Sequence, residues 1–221
     1  MPRQTQPATR PARRRSYDQF CAGARALDAV GDRWTLLIVR ELLAGPRRYT
    51  DLHADLPGVS TDVLASRLKD MEQGGLATRR KLPPPAAATV YALTARGHGL
   101  LPVLAALAEW GAPALTERRP TDAVRAHWFA LPLLSALKVA ATGVLDVRLD
   151  EGEFHIRTGE VAAGEPVYGG GPAAGADARI VLDAELCLAL GRGEPTFAQA
   201  VKDGRIEVSG DGALAEELRG G

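Results

Sequence analysis

Apolar positions recur at intervals of three and four residues through the first part of the chain, the spacing typical of helices with one buried face. The pattern predicts four helices, over residues 17–30, 34–44, 50–55 and 61–73. The last two helices are separated by Leu56-Pro57-Gly58-Val59, a turn through which no helix continues because of its proline. Two short helices joined by a tight apolar turn are typical of a helix-turn-helix.

The helix predicted over residues 61–73 has two unlike faces. Leu64, Leu68 and Met71 repeat at positions i, i+4 and i+7, so we expect them in the core. The opposite face carries small and hydrogen-bonding groups that can reach base edges and phosphates from a major groove, although a merely solvated face is the alternative. The candidate DNA contacts on this helix and at its cap are Ser60, Thr61, Asp62, Ala65, Ser66, Arg67 and Lys69.

Two short β-type segments, LATRRKL and TVYALT, follow this helix and predict a hairpin, the wing of the motif. Three consecutive cations lead into the turn, and they can hold phosphates beside the recognition helix. These further candidate DNA contacts are Arg79, Arg80 and Lys81. Thr94 then caps an apolar helix predicted over residues 95–110. Pro102 either kinks this helix or shifts its start. So apolar a helix requires a partner surface.

A polar segment at residues 116–122, with a central proline, marks the predicted boundary of a second domain. We expect a helix over residues 121–140, followed by an antiparallel hairpin formed by VLDVRLD and EFHIRTG. RIVLD and RIEVSG predict further strands, and AELCLAL, TFAQAVKD and GALAEELR predict short amphipathic helices. The expected architecture is a mainly α winged helix-turn-helix (residues 17–117) followed by an α+β domain (residues 121–221) with a mostly antiparallel sheet covered by helices on one face.

The composition fits a soluble globular protein, because 46% of the 221 residues are hydrophobic and 27 Lys and Arg balance 27 Asp and Glu. The longest mostly apolar stretch, residues 129–145, contains Lys138 and is shorter than the roughly 20 residues of a membrane-spanning helix. Residues 1–16 are basic and rich in proline, so we expect a disordered arm, no secretory signal and a cytoplasmic location. Insertion of this arm into a minor groove is an alternative role.

Charge is distributed unevenly along the chain. Residues up to Arg119 hold 18 Lys and Arg against 11 Asp and Glu, a net charge of +7, whereas residues 120–221 hold 9 against 16, a net charge of −7. A basic half suits a polyanion, and an acidic half keeps the rest of the molecule away from it, although drift of surface charge is the alternative. The division supports DNA as the partner of the first half.

The first half resembles the HxlR-type winged helix-turn-helix regulators over about residues 17–115. The matching segments, in chain order, are Gly31 to Trp34 (Gly-x-x-Trp), Arg48 to Leu52 (Arg-Tyr-x-x-Leu), Leu64 to Leu68 (Leu-x-x-Arg-Leu), Gly75-Leu76, and Tyr91 to Thr94 (Tyr-x-Leu-Thr). The resemblance implies a homodimer joined through its terminal helices, with two recognition helices placed for a pseudo-palindromic double-stranded operator. Arg48 lies in one of these segments and joins the candidate DNA contacts.

One cysteine departs from the family pattern. Members commonly carry a Cys-Pro pair near the first helix, and in some of them this cysteine senses oxidants or electrophiles, but Ala22 follows Cys21 here. With Phe20 and Ala24 as neighbours, we expect Cys21 to be a buried structural thiol, and redox sensing stays a side hypothesis.

Residues 177–218 resemble the sterol-carrier-protein-2-like fold, through the Gly-Arg-Ile-x-Val-x-Gly-Asp segment (Gly204 to Asp211) and the Phe-x-x-Ala helix before it. The resemblance implies an apolar tunnel between sheet and helices, which makes a small apolar ligand a candidate partner. The side chains that could line such a tunnel could equally fill the core. They are Trp128, Leu133, Phe154, Ile156, Leu186, Leu190 and Phe197.

No catalytic or metal-binding pattern is recognisable. The four histidines are scattered, and Gly169-Gly170-Gly171 lacks the context of a phosphate-binding loop, so we expect a flexible loop there, no metal and no cofactor. We interpret the chain as a homodimeric transcriptional regulator, expected to repress, with a C-terminal domain that takes a small apolar ligand. The alternatives are a lipid carrier whose N-terminal half only dimerises, an enzyme that uses the C-terminal cavity, and a regulator whose C-terminal domain is a ligand-free platform.

Overall fold

The computed structural model describes residues 16–115, 118–162 and 164–220. Its N-terminal half is a winged helix-turn-helix, as the sequence predicts. The helices are α1 (Ala22–Val30), α2 (Thr35–Leu43), α3 (Tyr49–Asp55), α4 (Thr61–Gln73), α5 (Ala95–His98) and α6 (Leu101–Gly111), and the antiparallel hairpin consists of β1 (Ala77–Lys81) and β2 (Thr89–Leu93). The basic arm predicted at residues 1–16 lies, except for Ser16, outside the described residues.

Two helix boundaries have local physical causes. Helix α1 begins at Ala22 rather than at residue 17, because the backbone N–H of Tyr17 donates to the Asp28 carboxylate and Cys21 is extended. The helix predicted over residues 95–110 is divided into α5 and α6, with Pro102 in the first turn of α6, where its missing N–H costs nothing. Of the two predicted effects of Pro102, the shifted start of the helix is confirmed.

Leu64, Leu68 and Met71 of α4 are buried, as their spacing predicts. They pack in a core that includes Leu56 and Val59 of the turn between α3 and α4, so the turn itself anchors the motif. The backbone of Arg47 pairs with that of Tyr91 on β2, which ties the segment before α3 to the wing.

The C-terminal half is an α+β unit built on a five-stranded sheet. The strands are β3 (Gly143–Leu149), β4 (Gly152–Thr158), β5 (Tyr168–Gly170), β6 (Ala178–Val181) and β7 (Glu207–Ser209), and the helices are α7 (Ala130–Ala136), α8 (Ala184–Gly191), α9 (Phe197–Lys202) and α10 (Ala213–Gly220). The strand order is β5-β4-β3-β6-β7, in which only the β3–β6 pair is parallel. The expected mostly antiparallel sheet is therefore present in the described residues.

The helix predicted over residues 121–140 is much shorter. Arg125 is extended, a 3-10 turn occupies Ala126–Phe129, and α7 ends at Ala136. Two long-range contacts account for the irregular ends, because the Arg125 guanidinium donates to Asp55 and the Glu217 carboxylate accepts the backbone N–H groups of residues 140 and 141.

The glycine-rich segment expected to be a flexible loop instead contains strand β5, which pairs with β4. The His155 ring lies against Gly169, where a Cβ atom would come within 2.5 Å of it, so only glycine fits without displacing the ring. The same ring hydrogen-bonds to the Gly171 carbonyl through Nδ1 at 3.0 Å. Packing under a side chain explains Gly169, whereas Gly171 has a positive φ of 77°, a conformation that favours glycine.

The two halves share a continuous cluster of buried apolar residues, and polar contacts also join them. Arg125 reaches Asp55 of α3, whereas His127 and Trp128 reach Glu41 of α2. Within the described part of the chain, no helix is long and apolar enough to cross a membrane.

Candidate nucleic-acid interface

The start of α4 is held by two hydrogen bonds. The Ser60 hydroxyl caps the helix by accepting from the Val63 N–H. The Tyr49 hydroxyl of α3 donates to the Thr61 carbonyl at 2.8 Å, so α3 fixes the N-terminal end of α4. The end that would approach base edges in a major groove is therefore rigidly supported.

Most predicted contacts on α4 are exposed, but one cation among them is engaged within the protein. Thr61, Asp62, Ala65, Ser66 and Lys69 face solvent, opposite the buried stripe. Arg67 is half-buried, and its guanidinium pairs with Asp32 at 3.4 Å and with Asp70 at 2.9 Å. The chemistry on this face is thus hydrogen-bonding groups, a methyl group and one exposed ammonium.

The wing contributes cations of two kinds. Arg79 pairs with Glu72 of α4 at 3.3 Å, and its guanidinium lies 5.2 Å from the centre of the Tyr91 ring, so it ties the wing to the helix. Arg80 and Lys81 are exposed on the same strand. Arg48, predicted as a contact before α3, is also exposed.

Large apolar side chains are exposed on α1 and α6, the first and last helices of the N-terminal half. Leu27 of α1 and Val103, Leu107 and Trp110 of α6 face solvent, and Trp110 is 82% exposed. Exposed apolar side chains of this size, grouped on the outer face of one helix, are typical of an interaction surface.

Cys21 is exposed, which corrects the expectation of a buried thiol. Because α1 begins after it, Cys21 lies outside the helix, and the backbone N–H groups of Ala24 and then Gly23 lower the pKa of its thiol. Cys187 behaves in the opposite way, because burial in α8 raises the pKa of its thiol to about 12.

The C-terminal half has a cleft of about 280 Å³ between the end of α7 and strand β4. Its wall includes the aliphatic residues Leu134, Leu137, Val139, Ile156, Val161 and Val167. Of the seven predicted ligand contacts, only Ile156 belongs to the wall of this cleft, and it is itself fully buried. Leu133, Phe154, Leu186 and Leu190 are fully packed in the core, Phe197 is partly buried against it, and Trp128 contacts Glu41.

The sequence interpretation missed the polar residues that join the two halves: Arg40, Glu41, Arg125 and Tyr168. One signal was present, because Glu41 is the single acidic residue in the otherwise apolar face of TLLIVRELL. Among the described residues, no group of three or more His, Cys, Asp or Glu side chains is arranged to hold a metal ion.

Comparison with known proteins adds a family match over residues 29–119, to the HxlR-like helix-turn-helix family. The chain is 37% identical over 86 residues to the uncharacterized HTH-type transcriptional regulator YvaP of Bacillus subtilis, covering 39% of this chain and 80% of that one. It is 34% identical over 85 residues to the HTH-type transcriptional regulator YodB of the same organism, covering 38% and 76% respectively. The solved structure of reduced YodB aligns with 46% of this chain and 100% of its own, at 29% identity and a TM-score of 0.39.

Proposed function

The chain belongs to the HxlR-like helix-turn-helix family of transcriptional regulators, and from this premise we propose that it is a homodimeric repressor that binds a pseudo-palindromic DNA operator. It is a regulator rather than an enzyme, in keeping with its relatives. The observation that carries the proposal is the exposed polar face of α4, rigidly mounted on a buried apolar stripe.

In the proposed complex, α4 lies in the major groove and the wing lies along the backbone. The exposed groups of Thr61, Ser66 and Lys69 are available for bases and phosphates, and Arg48, Arg80 and Lys81 are available for phosphates. Arg67 and Arg79 are assigned a supporting role, because both guanidinium groups already pair with carboxylates of the protein.

Dimerisation is proposed to cover the apolar side chains exposed on α1 and α6. Such a dimer presents two α4 helices to two half-sites about one helical turn of DNA apart. Trp110→Asp would place a charge in this surface, so sedimentation should report a monomer where the unaltered protein is a dimer. A Trp110→Asp protein that stays dimeric would remove α6 from the interface.

The C-terminal unit is proposed to be a sterol-carrier-protein-2-like sensor of a small apolar molecule. The aliphatic wall of the cleft beside α7 supports this role, and its volume of about 280 Å³ suits a small ligand rather than a long lipid. Native mass spectrometry of the purified dimer, compared with denaturing conditions, would detect a retained molecule directly.

The test of DNA recognition is a selection from random duplexes, followed by titration of the selected duplex at several salt concentrations. Lys69→Ala and Arg80→Ala each remove two cations from a dimer. Each should therefore make the negative slope of log K against log [salt] shallower by about 2. Lys202→Ala, which removes an exposed cation from α9, is the matched control and should leave the slope unchanged. Failure to select any duplex would overturn the proposed function.

A further inference from the structure

The contacts between the two halves converge on one turn of α2. The Glu41 side chain is fully buried, and its carboxylate accepts hydrogen bonds from His127 Nε2 and Trp128 Nε1, both at 2.7 Å. The neighbouring Arg40 donates to the same carboxylate through Nε at 2.9 Å. A carboxylate from the N-terminal half is thus enclosed by donors from both halves.

The same turn is also held from a second segment of the C-terminal unit, strand β5. The buried Tyr168 of β5 donates its hydroxyl to the Arg40 carbonyl at 3.0 Å. The Arg40 guanidinium lies 4.0 Å from the centre of the Trp128 ring, within the range of a cation–π contact. We call this set of residues the α2 junction: Arg40, Glu41, His127, Trp128 and Tyr168.

A second contact holds α3, which supports the recognition helix. Arg125 donates to Asp55 Oδ1 at 2.8 Å and to the Ala54 carbonyl at 3.1 Å, at the C-terminal end of α3. At the other end of α3, Tyr49 holds the Thr61 carbonyl at the start of α4. The C-terminal unit therefore contacts α3, which holds the start of α4, and α2, which shares the buried core with α4.

A buried ion pair adds little net stability compared with apolar packing, but it accepts only a narrow set of geometries. The donors of the α2 junction come from the turn that leads into α7 and from β5. Leu134 and Leu137, at and just after α7, and Val167, next to Tyr168, also line the cleft of about 280 Å³. A molecule in this cleft would touch the C-terminal end of α7, which continues from the turn that carries His127 and Trp128, and the residue that precedes β5.

We propose that the α2 junction is the element through which the C-terminal unit controls DNA binding, with Glu41, Trp128 and Tyr168 as positioning residues. The proposal rests on the proposed function. In the docked state the junction holds α2 and the Arg125 contact holds α3 in the arrangement that presents α4, and a change in the cleft shifts the balance away from this state. Because such coupling is reciprocal, operator DNA must in turn tighten the junction.

The first test measures affinity for the selected duplex with conservative variants of the full-length protein. Trp128→Phe and Tyr168→Phe each remove one donor and keep an aromatic ring. Each should therefore weaken operator affinity about five- to tenfold. Tyr17→Phe, which removes an exposed hydroxyl, is the control and should change it less than about twofold.

The second test uses the unaltered protein, so it does not depend on whether a variant folds. Amide hydrogen exchange of residues 126–136 and 167–170 should slow several-fold when the selected duplex binds. Unchanged exchange together with unchanged affinity in both aromatic variants would overturn the junction proposal while the DNA-binding function stands. Absence of any selective duplex binding by the unaltered protein would instead overturn the function itself.

Discussion

Replacing Glu41 by alanine should destabilise the protein more than any exposed charge change. The substitution leaves the His127 ring and the Trp128 N–H without their buried acceptor, and each such loss costs about 1–3 kcal/mol. The Arg40 guanidinium side chain keeps 17% exposure and can be partly rehydrated, so it adds less. We expect a total loss of about 3–5 kcal/mol, the scale measured when one partner of a buried pair is removed.

The assay is equilibrium unfolding in guanidinium chloride, followed by circular dichroism at one protein concentration, because dimer stability depends on concentration. Glu207→Gln, an exposed carboxyl on β7, is the matched control and should stay within about 0.5 kcal/mol of the unaltered protein. A loss below about 1 kcal/mol for Glu41→Ala would refute the reasoning, because the junction donors would then be satisfied by water.

The same variant should change the response to acid. Burial by itself raises the pKa of the Glu41 carboxyl, but the hydrogen bond from His127 and the charge of Arg40 outweigh it and hold this pKa below its usual range. A lowered folded-state pKa means that the stabilisation is present above the unfolded value of about 4.5 and is lost as the pH falls through the folded value. Glu41→Ala should remove this part of the acid dependence.

Three further predictions concern other residues. Arg67→Ala should lower the free energy of unfolding by about 1 kcal/mol without changing the salt slope of operator binding, and a slope reduced as for a phosphate contact would contradict this. Glu217→Gln should flatten the loss of stability in acid, because two backbone N–H bonds lower the pKa of this carboxyl and its stabilisation disappears as the pH falls; unchanged pH dependence would count against those bonds. Iodoacetamide should modify Cys21 in the folded protein and Cys187 only after unfolding, as followed by mass spectrometry; equal rates would disagree with their exposures.

The success of the sequence predictions depended on how local the determining contacts are. Helix α4 could be predicted because its three core residues lie within one helical repeat, and its cap, Ser60, comes immediately before it. The wing hairpin is equally local. The candidate DNA contacts on these two elements stay a prediction, and the pairing of Arg67 with Asp32 could not be predicted because it depends on the position of a distant loop.

The failures involve partners far apart in sequence. Strand β5 consists of Tyr168 and two glycines, and glycine has little intrinsic preference for strands. The strand forms because β4 offers a free edge. The predicted helix around residue 121 is prevented by Arg125, whose partner lies 70 residues earlier. The sequence leaves Trp128 open between a ligand wall and the core, since no local pattern indicates that a glutamate on α2 accepts its N–H.

The energy of the α2 junction also bears on how strongly the C-terminal unit can control DNA binding. Moving a two-state equilibrium from 1:99 to 99:1 takes about 5.5 kcal/mol of differential binding. The α2 junction itself adds little net free energy, because separating the two halves rehydrates the Glu41 carboxylate and its donors together, so this differential has to come from the molecule bound in the cleft. A small molecule in the cleft would not need to unfold either half, because it would only have to favour the separated state by a comparable amount. Packed interfaces have discrete arrangements rather than a continuous range, and the Glu41 carboxylate adds to this property because it either holds its donors or loses them, which is the discreteness that a switch requires.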